Sequence, residues 1–519
     1  MGDLQPKLIS CLKGYSKNQM GKDIVAGIVV AIIALPLSIA LAIASGVTPE
    51  RGLYTAIFAG FVIALLGGSN VQISGPTAAF ATIVAGIVAK SGMEGLVLAT
   101  LMAGVILIAM GLLRFGKLIK FIPFTITTGF TTGIAVTLVI GQLKDFFGLS
   151  FNHSPIETLE KLKEAVLCFE TFNPWAILIG VLALVILIVW PKIKGVNKIP
   201  PSLIAVIVCA AIVKVFDMNV STIGTQFENI PSGLPAFSVP SFSFETVKSV
   251  IPDAFTIAVL AAIESLLSCV VSDGMIGAKH NSNAELIGQG AGNIVSALFG
   301  GIPATGAIAR TAANVKNGGR TPVAAVVHAI VLLLVLVVLM PYAKLIPMPV
   351  IAAILFVVAY NMSEWREFVH LIKTSPKSDI CVLLTTFVLT VVFDLVVAIC
   401  VGIVLAAVLF MWRMSGVAEV ERKGSDDEKK EIFKISGALF FAVCDKIAEL
   451  DINENTKTVV LDMSSVSAVD ASAMHRLSEF LGKCKENDVD VVFENVASQP
   501  MKAFEKSGIF EKQEQITLT

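Results

Sequence analysis

Arg310 and Glu264 are ionisable residues inside segments otherwise built from small or apolar residues. Arg310 lies near the start of GGIPATGAIARTAANVKNGGR (Gly300 to Arg320), and Glu264 lies in the middle of VLAAIESLLSC. A cation at membrane depth is costly unless it is paired or hydrated, so it is a functional candidate by default. We therefore predict that Arg310 attracts an anion. The alternatives are a fixed ion pair with Glu264 and a side chain that extends to the cytoplasmic surface.

The Glu264 carboxylate has no cation near it in the sequence. A carboxyl group in a partly dry site is costly when charged and cheap when protonated, so it can load and release a proton. Ser268 lies four residues further on and therefore on the same helical face. These two residues are the predicted coupling group. The alternative is that Glu264 is only a counter-charge that holds Arg310.

The segment that carries Arg310 begins with a Gly/Pro break, and VQISGPTAAFATIVAGIVAK (Val71 to Lys90) begins in the same way. Both are small-residue helices too short to cross a bilayer, and each is third in its half of the apolar region. A helix that starts inside the membrane leaves its first N–H groups unpaired and carries about half a positive charge at that end. Two such ends that point at one spot make an anion site.

The residues at the two helix starts are the predicted substrate-binding residues. Small side chains let backbone N–H groups reach an anion, and a threonine can add its hydroxyl. With one polar residue from the first apolar segment, the predicted set is Thr77, Ala78, Ala79, Ala307, Ala309, Arg310, Thr311 and Ser38. The alternative for the alanines is that they only allow close helix packing.

The composition indicates an integral membrane protein. Of the 519 residues, 55% are hydrophobic and 15% are charged, whereas a soluble domain has about 25% charged residues. The eight cysteines are scattered, without a CxxC pair or a Cys/His cluster. We expect them to be small buried residues, and we expect no disulfide, no metal site and no cofactor. The net charge of -1 gives no sign of a nucleic-acid partner. The sequence shows no nucleophile–base pair or phosphate loop, which argues against an enzyme.

Fourteen apolar segments are predicted, in two halves of seven, of which the ninth and tenth are weak on hydropathy alone. Their approximate cores are 24–44, 52–67, 75–90, 95–113, 121–147, 174–191, 201–216, 250–272, 284–300, 305–317, 322–340, 346–360, 378–393 and 395–413. The loop charges support this count, because positive residues then collect on the side of Lys7, Lys13, Lys17 and Lys22, which we expect to be cytoplasmic. The halves open alike, at Asp23 and Asp253, which predicts an inverted repeat.

The character of the chain changes after Trp412. A charge run is followed by strands that alternate with helices, which predicts a small α/β domain on the cytoplasmic side. The predicted organisation is therefore as follows, by residue range: a cytoplasmic N-terminal segment 1–22, a transmembrane domain 23–413 with repeats 23–217 and 249–413, a linker 414–430, and a cytoplasmic α/β domain 431–519.

Five motifs in this order resemble the SulP anion permeases, which are solute carrier family 26 in animals and include prestin. They are GPTAAF at 75–80, IES at 263–265, GAIARTAANVKNGG at 306–319, LFFAVCDKI, and VLDMSSVSAVDASAMHRL in a region similar to a STAS domain. The resemblance covers nearly the whole chain. It implies an all-α polytopic membrane protein with a small α/β STAS domain. Segments 1–4 and 8–11 would form a core, and segments 5–7 and 12–14 a gate. It further implies elevator-like motion and a homodimer in the inner (plasma) membrane.

The resemblance also assigns roles to single residues. Arg310 matches the site arginine of prestin-like members. An acid is usual at the position of Glu264, and because members that bind sodium there tend to have Asp, the Glu implies a proton as the coupling ion. Ser472 matches a serine that is phosphorylated in related bacterial anti-sigma antagonists. The alternative is that Asp470 or Ser472 is simply the N-cap of the following helix.

Segment 1 departs from the animal pattern. Where those members have glutamines and an aromatic residue, this chain has Ala34, Leu37 and Leu41, and only Ser38 is polar nearby. Fewer side-chain donors would reach the anion, which leaves room for a larger, partly apolar one.

The leading expectation is a proton-coupled secondary active transporter of small anions of the sulfate, bicarbonate or C4-dicarboxylate class. One alternative is an uncoupled exchanger or a channel-like or prestin-like anion protein. Another is a nucleobase-type permease, whose core fold is similar; the GPTAAF motif, Arg310 and the STAS domain argue against it.

Overall fold

The computed structural model describes the chain in a series of ranges, residues 4–117, 123–153, 155–193, 199–227, 233, 235–240, 244–393, 395–424, 427, 429–448, 450–509 and 516–518. Packing divides the chain into two units, Met1–Ile403 and Val404–Thr519. Several predicted positions lie outside the described residues: residue 121 at the start of the fifth segment, residues 425, 426 and 428 of the linker, and residue 519.

The helices of the first half follow the predicted segments. Their bounds are α1 Lys7–Leu12, α2 Lys17–Ala44, α3 Pro49–Tyr54, a π-helical turn Thr55–Ala59, α4 Gly60–Leu66, α5 Ala78–Leu112, α6 Phe124–Phe147, α7 Thr158–Leu167, α8 Pro174–Val189 and α9 Pro201–Val215. A proline opens each of α3, α8 and α9, where its missing N–H costs nothing. The third and fourth predicted segments are the two parts of α5, which bends at Gly92 with φ +67°.

The second half also matches its predicted segments. Its helices are α10 Ile223–Gln226, α11 Phe244–Ile276, α12 Ser282–Leu298, α13 Ile308–Lys316, α14 Val323–Ala343, α15 Met348–Met362, α16 Trp365–Thr374, α17 Lys377–Val392 and α18 Leu395–Val417. The weak ninth and tenth segments are helical, as α12 and α13.

Eight helical stretches in the described part of the chain are long and apolar enough to span a membrane. They are Lys17–Ala44, Pro49–Leu66, Ala78–Leu112, Phe124–Phe147, Pro174–Lys192, Phe244–Ile276, Met348–Thr374 and Val397–Val417. Two further apolar helices, Pro201–Val215 and Val323–Val338, are shorter. The prediction of a mostly helical polytopic membrane protein is confirmed, and the count of fourteen membrane segments stays a prediction.

Two short strands join the halves. β1 (Ser74–Gly75), just before α5, pairs antiparallel with β2 (Thr305–Gly306), just before α13. The helices behind them pack through glycines: a Cβ at Gly104 of α5 would lie 2.7 Å from the carbonyl oxygen of Gly290 in α12, and the reverse distance is 2.5 Å. Backbones this close are usual where small residues meet in membrane helices. The two halves are therefore tightly joined around the two chain breaks.

The second unit contains the predicted α/β domain. Its elements after α18 are β3 Glu419–Lys423, β4 Lys430–Leu439, α19 Asp445–Ala448, β5 Thr458–Val469, α20 Ala471–Glu486, β6 Asp490–Glu494, α21 Ser498–Ser507 and β7 Ile516–Leu518. The sheet order is β3-β4-β5-β6-β7, with β3–β4 antiparallel and the other pairs parallel. Leu461, Phe480, Phe493 and Phe504 are buried in its core. The prediction of a small α/β domain is confirmed.

Two sequence expectations need correction. The segment predicted as a linker, 414–430, contains the end of α18 and all of β3, because an exposed edge strand of charged residues lacks the apolar alternation that marks a strand. The cysteines were expected to be buried, but Cys381 and Cys400 are exposed. They lie on α17 and α18, and an apolar residue on the outside of such a helix can face lipid instead of protein.

Gly52→Ala is expected to destabilise the membrane unit, because a Cβ at this position would lie 2.0 Å from the backbone oxygen of Ser38. Overpacking of this kind costs about 1–3 kcal/mol. The matched control is Gly86→Ala, a helical glycine at which the added Cβ would meet no atom within 4 Å. Thermal unfolding of the purified protein should show a lower Tm for Gly52→Ala only. Equal Tm values for the two variants would contradict this packing.

Candidate functional site

The β1–β2 pair brings two helix starts to one place. Ser74 lies opposite Gly306 and Gly75 opposite Thr305. Thr77 is the N-cap residue of α5, and Ala307 is the N-cap residue of α13. The first N–H groups of both helices have no partner within their own helix, and both ends carry partial positive charge. The predicted convergence of the two half-helices is therefore present in the structure.

The Arg310 side chain is buried next to this convergence. It is 2% exposed, and its Nη2 donates a hydrogen bond to the carbonyl oxygen of Pro76, in the turn between β1 and α5. Among the described residues, its Nε and Nη1 have no hydrogen-bond partner. A Cβ on Gly75 would lie 2.7 Å from Nη1, so glycine leaves space for the guanidinium. Arg310 thus presents unused N–H donors beside two helix starts.

The two alternatives for Arg310 were a fixed ion pair with Glu264 and extension to the cytoplasmic surface. In the described part of the chain, Arg310 forms no salt bridge within 4 Å, although the Glu264 carboxylate is close enough to interact electrostatically with it. The side chain is also not extended to a surface, since it is nearly inaccessible. Burying a cation without a directly bonded carboxylate costs several kcal/mol. An anion that accepts from Nε and Nη1 would remove that cost.

Glu264 is tied to both breaks through two threonines. Its Oε2 accepts hydrogen bonds from Thr77 Oγ1 at 2.9 Å and from Thr305 Oγ1 at 2.8 Å, and the two hydroxyl oxygens are 3.2 Å apart. The carboxyl group is half-buried on α11. Glu264 therefore contacts the chain at both breaks. Thr305 was not among the predicted site residues.

α11 makes a second contact with the same break. The hydroxyl oxygen of Ser265 accepts a hydrogen bond from the backbone N–H of Gly306 at 3.0 Å. Ser268, predicted as part of the coupling group, is buried on this helix, and within the described chain its hydroxyl has no partner. The two serines of α11 thus differ: Ser265 holds β2 through Gly306, while the Ser268 hydroxyl forms no hydrogen bond within the described chain.

The other predicted substrate-binding residues have different environments. Ala78 and Ala79, the first residues of α5, are buried, as is Ala307. Ala309 is exposed. The hydroxyl oxygen of Thr311 accepts from the backbone N–H of Ile73 at 3.0 Å, so it supports the chain that leads into β1.

Ser38 lies in the middle of α2 and is fully buried. No hydrogen bond among the described residues connects its hydroxyl to Arg310 or Glu264. α2 does pack against both α5 and α13, and Ser38 reaches the site only through that packing.

A buried carboxylate that sequence reasoning missed holds the chain before β1. Glu285 of α12 accepts hydrogen bonds from the backbone N–H groups of Gly68 and Ser69 at 2.8 and 3.1 Å, and from the side-chain amides of Gln72 and Gln289 at 2.6 and 2.8 Å. Such a fully bonded carboxylate fixes backbone position. The available signal was an acid inside the weak ninth segment.

His328 of α14 was also missed. It is 1% exposed, and its Nε2 has no hydrogen-bond partner among the described residues. Its neighbours on the same face of α14, Ala325 and Leu332, are buried. A single histidine in an apolar run was the signal for it.

The predicted regulatory residue lies in the second unit. Ser472 is exposed in the first turn of α20. Asp470 is the N-cap residue: its carboxylate accepts from the backbone N–H of Ala473 at 2.8 Å and of Phe441 at 3.0 Å. The capping role belongs to Asp470, which leaves the Ser472 hydroxyl on the surface. A regulatory role of Ser472 stays a prediction.

The fold and this site define a multi-pass membrane protein with broken helices and a carboxyl-terminal α/β domain. The model of the sulfate permease family matches residues 20–386, and that of the STAS domain matches residues 420–519. The chain belongs to the sulfate permease (SulP/SLC26) family and carries its STAS domain.

Relatives and a solved structure agree with this assignment. The chain is 41% identical to YvdB of Bacillus subtilis (strain 168), whose name marks it as a candidate sulfate transporter, over 96% of each chain. It is 33% identical to the bicarbonate transporter BicA of Picosynechococcus sp. over 96% of this chain and 93% of the relative. The structure of SLC26A9 superposes with a TM-score of 0.88 at 20% identity, covering 100% of this chain and 91% of that one. At that identity the superposition shows the fold.

Arg310→Ala should lower the affinity or transport rate for the anion at least tenfold, about 1.4 kcal/mol, because it removes the buried charge with unused donors. The matched control is Lys316→Ala, which removes an exposed cation from the last turn of the same helix. Size-exclusion profiles of both variants check folding, and isothermal titration or uptake gives the affinity. Unchanged affinity and rate in folded Arg310→Ala would refute the role of this residue.

Proposed function

We propose that this protein is a secondary active transporter of small anions, of the sulfate, bicarbonate or C4-dicarboxylate class. The observation that carries the proposal is the buried Arg310 guanidinium, with Nε and Nη1 unpartnered, next to the starts of α5 and α13. Backbone N–H groups and a guanidinium fork suit the oxygens of an oxyanion. The relatives support this class, since BicA is named as a bicarbonate transporter and YvdB as a candidate sulfate transporter.

In this proposal the anion is bound mainly by backbone N–H groups at the starts of α5 and α13 and by Arg310, and less by other side chains. Along α2, Ala34 and Leu41 are buried apolar residues, and Ser38 is the polar residue between them. With few additional donors, the site would select for negative charge and size and would make few demands on the shape of the anion. Sulfate, bicarbonate and a C4-dicarboxylate all meet these requirements of charge and size.

The proposed coupling ion is a proton, carried by Glu264. The hydroxyls of Thr77 and Thr305 donate to its Oε2 and can rotate to accept instead, so the contacts survive protonation. An anion that arrives near Arg310 adds repulsion to a charged carboxylate in a medium of low dielectric. Anion and proton would therefore bind together. Sodium coupling is the competing possibility.

The proposed mechanism is elevator-type alternating access in a homodimer, placed in the inner (plasma) membrane with both termini in the cytoplasm. Helix packing supports two groups that move against each other. α5 packs against α11 and α12 and α2 against α14, whereas α6 packs against α15 and α17 and α8 against α15. The first group contains the site helices and corresponds to the predicted core. The second corresponds to the predicted gate.

Uptake into proteoliposomes tests the transport class. We expect accumulation of labelled sulfate, bicarbonate or succinate when an inward proton gradient is imposed, and no accumulation from a sodium gradient alone. Exchange without accumulation would indicate an uncoupled exchanger. Saturating currents that do not depend on an ion gradient would indicate a channel-like or prestin-like protein. Uptake of uracil instead of any anion would overturn the proposal in favour of a nucleobase-type permease.

Glu264→Gln should keep anion binding and exchange but lose accumulation driven by a proton gradient, because glutamine mimics the protonated side chain and cannot release a proton. Glu245→Gln is the matched control, an exposed residue in the first turn of the same helix. Counterflow and gradient-driven uptake of the same labelled anion separate the two activities. If Glu264→Gln still accumulates the anion in response to pH, another residue carries the proton.

A further inference from the structure

An apolar cavity of about 270 Å³ lies between α9 on one side and α2, α3 and α14 on the other. Its walls are formed by apolar side chains, among them Leu35, Pro36, Ile39, Leu53, Val206 and Met340. A buried water needs two to four polar partners, and these walls do not offer them. A dry cavity of about 150 Å³ already holds a benzene molecule. The cavity therefore suits a piece of hydrocarbon chain.

The cavity leads from the outside of the helices into the core. At its outer edge, Ile207 of α9 is 55% exposed and Tyr342 of α14 is 65% exposed. At its inner end, Ile39 and Leu53 are 2% and 0% exposed. The apolar outer surface of a membrane helix is covered by lipid. The molecule best placed to enter is thus a lipid of the surrounding bilayer.

We propose that this cavity binds one acyl chain of a membrane phospholipid, with its methyl end towards Ile39 and Leu53. Because lipid tails are as apolar as the cavity walls, moving an acyl chain from the bilayer into the cavity gains no hydrophobic free energy. The gain comes from contacts, because atoms that line a void lack partners on one side. The hydroxyl of Tyr342 at the edge fits the more polar part of the lipid.

The bound chain would lie next to the helix that supports the anion site. α2 forms one wall with Pro36, a proline that removes a hydrogen bond from the helix interior. Ser38 follows two residues later, and α2 packs against α13, which carries Arg310. If α9 belongs to the gate and α2, α3 and α14 to the core, as in the proposed function, the acyl chain lies across the boundary that moves.

Photolabelling of the full-length protein tests the site without any transport assay. The protein is reconstituted in phosphatidylcholine vesicles that contain a phosphatidylcholine with a diazirine near the end of one acyl chain. After irradiation, mass spectrometry locates the labelled residues. We expect label on Leu35 or Val206, which line the cavity and are half-buried. Label confined to exposed residues would overturn the proposal.

Two neighbouring alanines of α9 give a matched pair of variants. Ala210 lines the cavity, whereas Ala211 is exposed on the outer surface. Ala210→Phe should fill the cavity and lower the label on Leu35 and Val206 at least tenfold, while Ala211→Phe should leave it unchanged. Equal labelling in the two variants would refute the site. Because labelling of the unaltered protein is decisive by itself, the proposal stays testable if Ala210→Phe does not fold.

Discussion

The rest of the structure depends on holding a buried guanidinium and two positive helix starts close together, with one carboxylate, Glu264, at the same breaks. Two helices begin inside the membrane unit, and the Arg310 side chain lies beside their starts with Nε and Nη1 unpartnered among the described residues. In a medium of low dielectric such charge is costly. The surrounding fold must hold the three sources of charge together against that cost. Several polar contacts next to the two breaks serve this purpose.

The backbone near the two breaks is held by buried side chains that bond to it directly. Glu285 fixes the chain before β1, and Asn293 both donates to the carbonyl and accepts from the N–H of Ala304, just before β2. Asn314 donates to the carbonyl of Val71. Irregular backbone inside a membrane must have its polar groups satisfied by protein. The backbone of the site is thus held in place by these contacts. In the part of the chain that the structure describes, Glu264 is the carboxyl group that contacts both breaks, and it does so through hydroxyls alone.

Much of this could be predicted from the sequence, and the limits have physical causes. The helix starts, Arg310 and Glu264 were found because ionisable residues and Gly/Pro breaks are conspicuous within apolar segments. The pairing of Thr305 with Glu264 was not found, since a threonine before a break looks like any loop residue until the strands are paired. The role of Thr311 in anion binding stays a prediction. That its hydroxyl oxygen also accepts from Ile73 could not be predicted, because the two residues are 238 apart in sequence. Edge strand β3 was missed because its outward charges resemble a linker.

The β1–β2 pairing has a consequence for biosynthesis. Arg310 and its carbonyl partner Pro76 are 234 residues apart, and at about 5–20 residues per second a ribosome needs about 12 to 47 seconds to make that stretch. During this interval the first half-helix is already synthesised without the strand that will cover its broken backbone. The nascent first half must therefore wait in the membrane with polar groups that only the second half can satisfy.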